Sequence, residues 1–196
     1  MRYYSEACER NKAVILEQLQ AVFADRKAVL EIGSGSGQHA LYLAAGLGHL
    51  QWQPSEVAGN LAPLADNLSQ VPPGNLMPPV CLNVCSTEWP VVQADAVFSA
   101  NTLHIISWEE VESFFTGAAK LLRAGGKVAV YGPFRYQGSY TSASNVQFDQ
   151  WLRQRDPRSG IRDAEEVDRL AASQGLQLLT DLTMPANNQL RLWQKL

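Results

Sequence analysis

Three glycines at alternate positions are the residues of this sequence with the clearest chemical meaning. Gly33, Gly35 and Gly37 follow a short apolar run, 28–32, and precede a helix-like segment that begins at Gln38. Glycines in such a turn let the backbone approach a ligand closely, where side chains would collide with it. The spacing predicts a loop between a strand and a helix that binds a nucleotide-like cofactor.

Acidic residues near this loop indicate the kind of cofactor. Glu31 stands just before Gly33, where its charge would repel a pyrophosphate and favour a cationic ligand such as a sulfonium that carries an amino group. The dinucleotide-binding motif G-x-G-x-x-G is not matched, because Gln38 occupies the position of its third glycine. The motif of a phosphate-binding loop is not matched either, because no Lys follows the glycines. Glu56 ends the next candidate strand, where an acidic side chain commonly accepts hydrogen bonds from ribose hydroxyls.

The segment EIGSGSG, residues 31–37, strongly resembles the first motif of class I S-adenosylmethionine (SAM)-dependent methyltransferases. The resemblance implies SAM as the cofactor, bound by Glu31, Gly33, Ser34, Gly35, Gly37 and Glu56. It also implies that the adenine lies at Asn83 and Val84, where the family usually has an acidic residue. The carbonyl of Asn83 accepts the same hydrogen bond without the charge, and a turn-forming Asn is the alternative.

Further blocks, in order along nearly the whole chain, match one narrower family. They are Ser5, 9–12, 31–39, 100–105, 131–134, 141–149, 155–157, 160–163 and 184–188. By these blocks the chain resembles the methyltransferase-like 26 group, formerly catalogued as a domain of unknown function. The resemblance implies a cofactor and a reaction type without naming a methyl acceptor. Asn83 departs from the pattern, in which an Asp is expected.

The candidates for catalysis follow the fourth predicted strand. Methyl transfer from a sulfonium is an in-line displacement, so the protein mainly aligns the reactants and supplies electrostatics. A protonated acceptor atom needs a general base, for which His104 is the best-placed residue, and packing beneath the loop is the alternative. Asn101 and Ser99 would position the substrate or the amino group of the cofactor.

The N-terminal segment offers a second set of cofactor contacts. Arg10 and Asn11 are predicted to precede the first helix, and a segment folded over the glycine loop would let Arg10 pair with the carboxylate of the cofactor. A solvated Arg10 is the alternative. Gln38 and His39, at the start of the next helix, would either touch the cofactor or cap that helix.

A long stretch after the fifth predicted strand, 133–145, indicates a lid or a wall of the substrate site. The substrate candidates are Phe134, Tyr136, Tyr140, Asn145, Arg162 and Asn187. Plain packing is the alternative for the aromatic residues, and turn formation is the alternative for Asn187. Asp163 is predicted to cap a helix.

Apolar periodicity predicts the elements that position these residues. The best-marked helix runs from Trp108 to Leu122 and begins with a capping box of Ser107 and Glu110. Near the C-terminus, two strands joined by a loop too short for a helical crossover form an antiparallel pair. With the resemblance, this order predicts an α/β, Rossmann-like class I methyltransferase fold in a single domain, 1–196. It has a mostly parallel seven-stranded sheet with one antiparallel strand and helices on both faces.

Composition and charge bound the remaining possibilities. The 196 residues are 46% hydrophobic with a net charge of -3, which argues against nucleic acid as a partner. No apolar run is long enough for a membrane span, and 1–11 lacks the apolar core of a signal peptide. Cys8, Cys81 and Cys85 indicate reduced thiols in the cytoplasm, and without a second cysteine pair no metal site is expected.

The leading hypothesis is therefore methyl transfer from SAM to an unidentified small-molecule acceptor, because a minimal methyltransferase sheet leaves little chain for recognising a large substrate. A SAM-binding protein without catalysis, working as a partner-binding subunit, is the alternative. Glu31 and Gln38 disfavour a third possibility, a nicotinamide-dependent reductase. The oligomeric state stays open.

Overall fold

Helices and strands alternate along the chain in the computed structural model, which describes residues 4–70, 72–91 and 93–196. The chain divides into two compact units, one up to Ser99 and one from Ala100 onward. The single domain inferred from the sequence stays a prediction.

The first unit contains the glycine loop and the strands around it. Its elements are α1 (Glu6–Val22), β1 (Ala28–Ile32), α2 (Gln38–Gly46), β2 (Gln51–Glu56), α3 (Ala58–Leu68), β3 (Val80–Cys81) and β4 (Ala96–Ala100, which reaches the boundary). β1 pairs in parallel with β2 and β4, and β2 pairs in parallel with β3. β1 is buried beyond its first residue and β4 throughout, so side chains on both faces of these strands are covered.

The second unit ends in the predicted hairpin. Its elements are α4 (Trp108–Leu121), β5 (Lys127–Gly132), β6 (Phe134–Tyr136), β7 (Ser139–Tyr140), α5 (Ala143–Arg155), β8 (Arg162–Asp163), α6 (Ala164–Ser173), β9 (Leu176–Met184) and β10 (Asn188–Lys195). β10 runs antiparallel to both β5 and β9. The short strands form a separate sheet in the order β7-β6-β8.

The main sheet has seven strands in the order β3-β2-β1-β4-β5-β10-β9. The predicted α/β fold, with a mostly parallel sheet and one antiparallel strand, is confirmed. Strand order reverses between β1 and β4, and ligands of such sheets bind outside the carboxyl ends of the strands at this point. The glycine loop follows β1 and therefore begins at this position.

One part of the prediction was wrong. The first helix begins at Glu6, capped by the Ser5 hydroxyl, so Arg10 and Asn11 lie inside α1 and not before it. The long stretch after β5 contains β6, β7 and the start of α5, and its role as a lid or a wall of the substrate site stays a prediction. The buried residues of α5 are Asn145, Asp149 and Leu152, so its buried face is largely polar and apolar periodicity does not reveal it.

The predicted capping box at the start of α4 is confirmed, with the Ser107 hydroxyl and the Glu110 carboxylate each accepting a backbone N–H.

None of the helices in the described ranges is long and apolar enough to cross a membrane. Among the same residues, no group of three or more His, Cys, Asp or Glu side chains is arranged to hold a metal ion. Cys8, Cys81 and Cys85 are free thiols.

Candidate functional site

The loop after β1 turns through glycines in the left-handed backbone region. Gly35 has a φ of +55° and Gly37 a φ of +77°. A Cβ on Gly37 would lie 2.7 Å from Leu68 Cδ2, whereas a Cβ on Gly35 would meet no atom within 4 Å. Gly37 is therefore required for packing against α3, while the space in front of Gly35 is open to a ligand.

Glu56 closes the same loop from the end of β2. Its Oε2 accepts a hydrogen bond from Gly35 N at 2.9 Å, and its Oε1 accepts one from Val57 N at 2.9 Å. The residue is 9% exposed. Each carboxylate oxygen keeps a further lone pair, so Glu56 is held in place with acceptor capacity left for hydroxyl donors.

Glu31, at the end of β1, is an ionisable group in the core and is 1% exposed. Its Oε2 accepts a hydrogen bond from Trp52 Nε1 at 2.9 Å. Burial raises the pKa of Glu31 to about 7, against the hydrogen bonds from Trp52 and Ser34 and with the charge of Glu56 adding to the rise. A positive charge placed nearby would favour the ionised form of this carboxyl group.

Buried polar contacts attach α1 to the beginning of α2. The Gln38 Oε1 accepts hydrogen bonds from Ser5 N at 2.6 Å and from Ser36 Oγ at 2.9 Å. Its Nε2 donates to Glu9 Oε1 at 2.7 Å. Gln38 therefore holds the N-terminal helix against the glycine loop, a role that the sequence did not predict for this residue, and its contact with a cofactor stays a prediction.

His39 forms a second link between the same helices. Its Nε2 lies 2.6 Å from Asn11 Oδ1, and its Nδ1 lies 3.7 Å from Cys8 Sγ. Burial lowers the pKa of His39 to about 4, so the ring is neutral at physiological pH and donates through Nε2 to the side-chain oxygen Oδ1 of Asn11.

Arg10 is exposed and pairs with Glu6 at 3.5 Å. Cofactor contacts of Arg10 and Asn11 stay predictions.

Three candidate cofactor-binding residues near the ends of β3 and β4 form hydrogen bonds within the first unit. Asn83 Oδ1 accepts from Cys85 N at 2.9 Å, the bond of a turn-forming Asn. The Val84 carbonyl accepts from Trp89 Nε1 at 3.3 Å. Ser99 Oγ donates to Ile32 O at 2.8 Å and is fully buried. Their contact with a cofactor stays a prediction.

In the second unit, the segment after β4 carries the catalytic candidates. Asn101 has a φ of +56°, which costs energy in a residue other than glycine and is a conformation that clusters at functional sites. His104 is 5% exposed and packs its ring edge-on against Phe148, with centroids 5.3 Å apart. Burial, aided by the charge of Arg162, lowers the pKa of His104 to about 4. The imidazole is therefore in its neutral, proton-accepting form at physiological pH.

Of the substrate candidates, Asn145 and Asn187 lie together. The Asn145 Nδ2 donates to Asn187 O at 3.1 Å and to Thr141 Oγ1 at 2.9 Å. Asn187 has a φ of +58° in a tight turn, as its turn-forming alternative predicted. Tyr140 donates its hydroxyl to Asp149 Oδ2 at 2.8 Å.

Arg162 joins β8 to the segment that carries His104. Its Nε donates to Leu103 O at 2.9 Å, and its Nη2 donates to the carbonyls of Ile106 and Arg158. The backbone N–H of Gly160 also donates to the His104 carbonyl at 2.9 Å. Arg162 therefore lies beside the candidate base, and the roles of all the substrate candidates stay predictions.

A family model described as "Protein of unknown function (DUF938)" matches residues 2–195. The chain belongs to the DUF938 family.

Solved methyltransferase structures share the fold of this DUF938 protein. An O-methyltransferase family protein from Burkholderia thailandensis superposes with a TM-score of 0.82 at 15% identity, over 97% of this chain and 57% of that one. Human N-acetylserotonin methyltransferase, solved in complex with SAM, superposes with a TM-score of 0.81 at 13% identity, over 97% of this chain and 53% of that one. CalO1, a methyltransferase in calicheamicin biosynthesis solved with S-adenosylhomocysteine (SAH) bound, superposes with a TM-score of 0.73 at 20% identity, over 95% of this chain and 54% of that one. The chain spans little more than half the length of these structures.

One buried charge cluster of the DUF938 protein was not predicted from the sequence. Arg191 on β10 is 1% exposed, pairs with Asp168 at 2.6 Å and also pairs with Asp181. Its guanidinium carbon lies 5.2 Å from the ring centroid of Phe134 and 5.8 Å from that of Tyr136. These two substrate candidates therefore pack around Arg191. An Arg in an apolar strand is the only sequence signal, and it does not identify the partners.

Proposed function

We propose that this protein is a methyltransferase that binds SAM and transfers its methyl group to a small molecule. The observation that carries the proposal is the open space in front of Gly35, bordered by the fixed carboxylate of Glu56. Backbone without a side chain admits the nucleoside, and the free lone pairs of Glu56 accept the ribose hydroxyls. The fold shared with solved methyltransferases supports the same conclusion.

Glu31 favours SAM over a dinucleotide. A buried carboxyl group with a pKa near neutrality at the end of β1 would disfavour a pyrophosphate and interact favourably with a cation. The bound SAM would supply a sulfonium methyl group as the electrophile. The protein would contribute alignment of the acceptor, exclusion of water by the N-terminal helix, and removal of the acceptor proton at a ring nitrogen of His104.

Calorimetric titration with SAM, S-adenosylhomocysteine and NAD⁺ tests the binding half of this proposal. We expect saturable binding of both sulfur compounds, because both carry the adenosine and amino acid groups. NAD⁺ should bind more weakly, because its pyrophosphate would meet the carboxylates of Glu31 and Glu56. Tighter binding of NAD⁺ than of either sulfur compound would contradict the proposal.

We expect substitution of His104 to separate catalysis from binding. His104→Asn removes the proton acceptor, which should lower methyl transfer roughly 10²–10⁴-fold while leaving the SAM affinity unchanged. Transfer is measured with methyl-labelled SAM and a fractionated pool of metabolites. Phe148→Leu is the matched control, because it loses the ring contact with His104 but keeps the imidazole. Equal losses in both variants would assign His104 to packing alone.

The alternative is a SAM-binding subunit without catalysis, which the burial of His104 favours. It would bind SAM, give no labelled product with any pool, and keep its SAM affinity on substitution of His104.

We also propose that the chain is a member of the methyltransferase-like 26 group, on the basis of the sequence blocks named above. We propose a cytoplasmic location on the basis of the three free thiols.

A further inference from the structure

Three arginines line a cavity of about 210 Å³ in the second unit, here called the arginine pocket. Arg135 comes from β6, Arg153 from α5 and Arg162 from β8, and Trp108 at the start of α4 supplies a wall. Pockets for whole drug-sized ligands have volumes of roughly 300–1,000 Å³. The arginine pocket is smaller, which suits a small polar molecule or one charged group of a larger one.

The small second sheet brings these distant residues together. β6 pairs in parallel with β8, so that Phe134 is opposite Arg162 and Arg135 is opposite Asp163. Asp149, which is 2% exposed, connects α5 to the end of this sheet by accepting from Ile161 N at 2.5 Å. Arg153, one turn further along α5, donates its Nε to the same carboxylate at 2.7 Å.

The positive charges of the pocket are unequally compensated. Arg153 is paired with Asp149, and the Nε of Arg135 lies 3.7 Å from Asp163 Oδ2 without a hydrogen-bond partner although that atom is buried. The hydrogen bonds of Arg162 go to the backbone carbonyls of Leu103, Ile106 and Arg158, and in the described part of the chain no carboxylate forms an ion pair with it. Arg162 therefore lacks a bonded counter-charge.

Neighbouring charges show that Arg162 is held in an unfavourable field. Burial and the positive charges of Arg153 and Arg135 lower the pKa of Arg162, although the negative charges of Asp149 and Glu109 oppose them. Asp163 and Glu166 also line the pocket, and Asp163 already accepts from Gly138 N at 3.0 Å. An anion between the arginines would relieve their mutual repulsion, and the two acids would suit hydroxyl or amino groups beside that anion.

We propose that the arginine pocket binds the carboxylate or phosphate of a small anionic molecule, and that this molecule is the methyl acceptor. Only the second half rests on the proposed function. Arg162 donates to the carbonyls of Leu103 and Ile106, which flank His104, so the pocket is attached to the segment that carries the candidate base. The planar fork of each guanidinium matches the paired oxygens of either anion.

Titration with inorganic phosphate and with acetate, followed by ¹H–¹⁵N NMR, tests the anion site. We expect saturable shifts at the amides of Arg135, Arg153 and 161–163, and comparing the two titrations ranks phosphate against carboxylate. Chloride at equal ionic strength corrects for general salt effects. Shifts that are scattered over the surface, or that do not saturate, would overturn the proposal.

Variants on α5 provide a matched comparison. Arg153→Gln should weaken anion binding by at least about 10-fold, and Arg153→Lys, which keeps the charge but not the fork, should recover part of it. Arg155→Gln removes a positive charge from the same helix at a residue that does not line the pocket, so it should bind like the wild type. Arg135→Gln supplies an independent second loss. Melting temperatures show whether each variant folds, and equal affinities in all variants would overturn the site.

A transfer assay tests whether the anion belongs to the acceptor. A metabolite pool is divided by anion exchange, and methyl label from SAM should enter the retained fraction. Prior phosphatase treatment abolishes the labelling if the group is a phosphate ester and spares it if the group is a carboxylate. Label only in the unretained fraction would overturn the assignment of the acceptor. A protein that binds phosphate but not SAM would instead refute the proposed function and leave the anion site standing.

Discussion

Gly35→Val is expected to lower the affinity for SAM at least about 100-fold, because the new side chain would project into the open space in front of the glycine loop. At present a Cβ there would meet no protein atom within 4 Å, so a bound nucleoside is what the substitution would displace. The N–H of Gly35 also holds Glu56 at 2.9 Å, and a shift of this backbone would move the ribose acceptor. Calorimetric titration with SAM measures the loss.

Strain alone must be separated from this steric effect, because valine disfavours the φ of +55° at Gly35. Gly138 offers the matched control: its φ is +74°, a Cβ on it would also meet open space, and it lies in the turn between β6 and β7. Gly138→Val should lower the melting temperature to a similar degree while leaving the SAM affinity as in the wild type. A Gly35→Val protein that binds SAM normally would place the cofactor elsewhere.

The success of sequence reasoning for the main sheet has a physical reason. β1 and β4 are covered on both faces, so their sequences are short, nearly continuous apolar runs, and α4 buries one apolar stripe. The helix α5 escaped the same reasoning because two of its buried residues, Asn145 and Asp149, are polar and hydrogen-bond to residues distant in sequence. Such partners exist only once the chain has folded.

The residues of the candidate site also differ in whether the sequence could predict them. The glycine loop and Glu56 were predictable because local spacing after a strand determines both. The contacts of Gln38 with Ser5 and Glu9 were not, since they need α1 to lie against α2. The arginine pocket likewise depends on the pairing of β6 with β8, two strands too short to show any periodicity. Only Arg162 among its arginines was a candidate beforehand.

Glu31→Gln is expected to stabilise the protein above neutral pH. Burial raises the pKa of Glu31 from 4.5 to about 7 in the folded state, so its favourable contribution is complete below pH 4.5 and is lost as the pH rises to about 7. At 1.36 kcal/mol per pKa unit, the loss amounts to about 3 kcal/mol. Gln keeps an oxygen that accepts from Trp52 Nε1 and carries no charge. The variant's advantage in unfolding free energy should therefore grow between pH 5 and pH 8, as measured by urea unfolding.

The same substitution should weaken SAM binding, because the ionised carboxylate attracts the sulfonium. In the wild type, SAM affinity should rise between pH 6 and pH 8 as Glu31 loses its proton, and Glu31→Gln should remove that rise. S-adenosylhomocysteine lacks the sulfonium charge, so its affinity should change less with pH and suffer less from the substitution. A stability difference that is constant from pH 5 to pH 8 would show that Glu31 does not titrate in this range. An unchanged preference for SAM over S-adenosylhomocysteine in the variant would show that the charge of Glu31 does not act on the sulfonium.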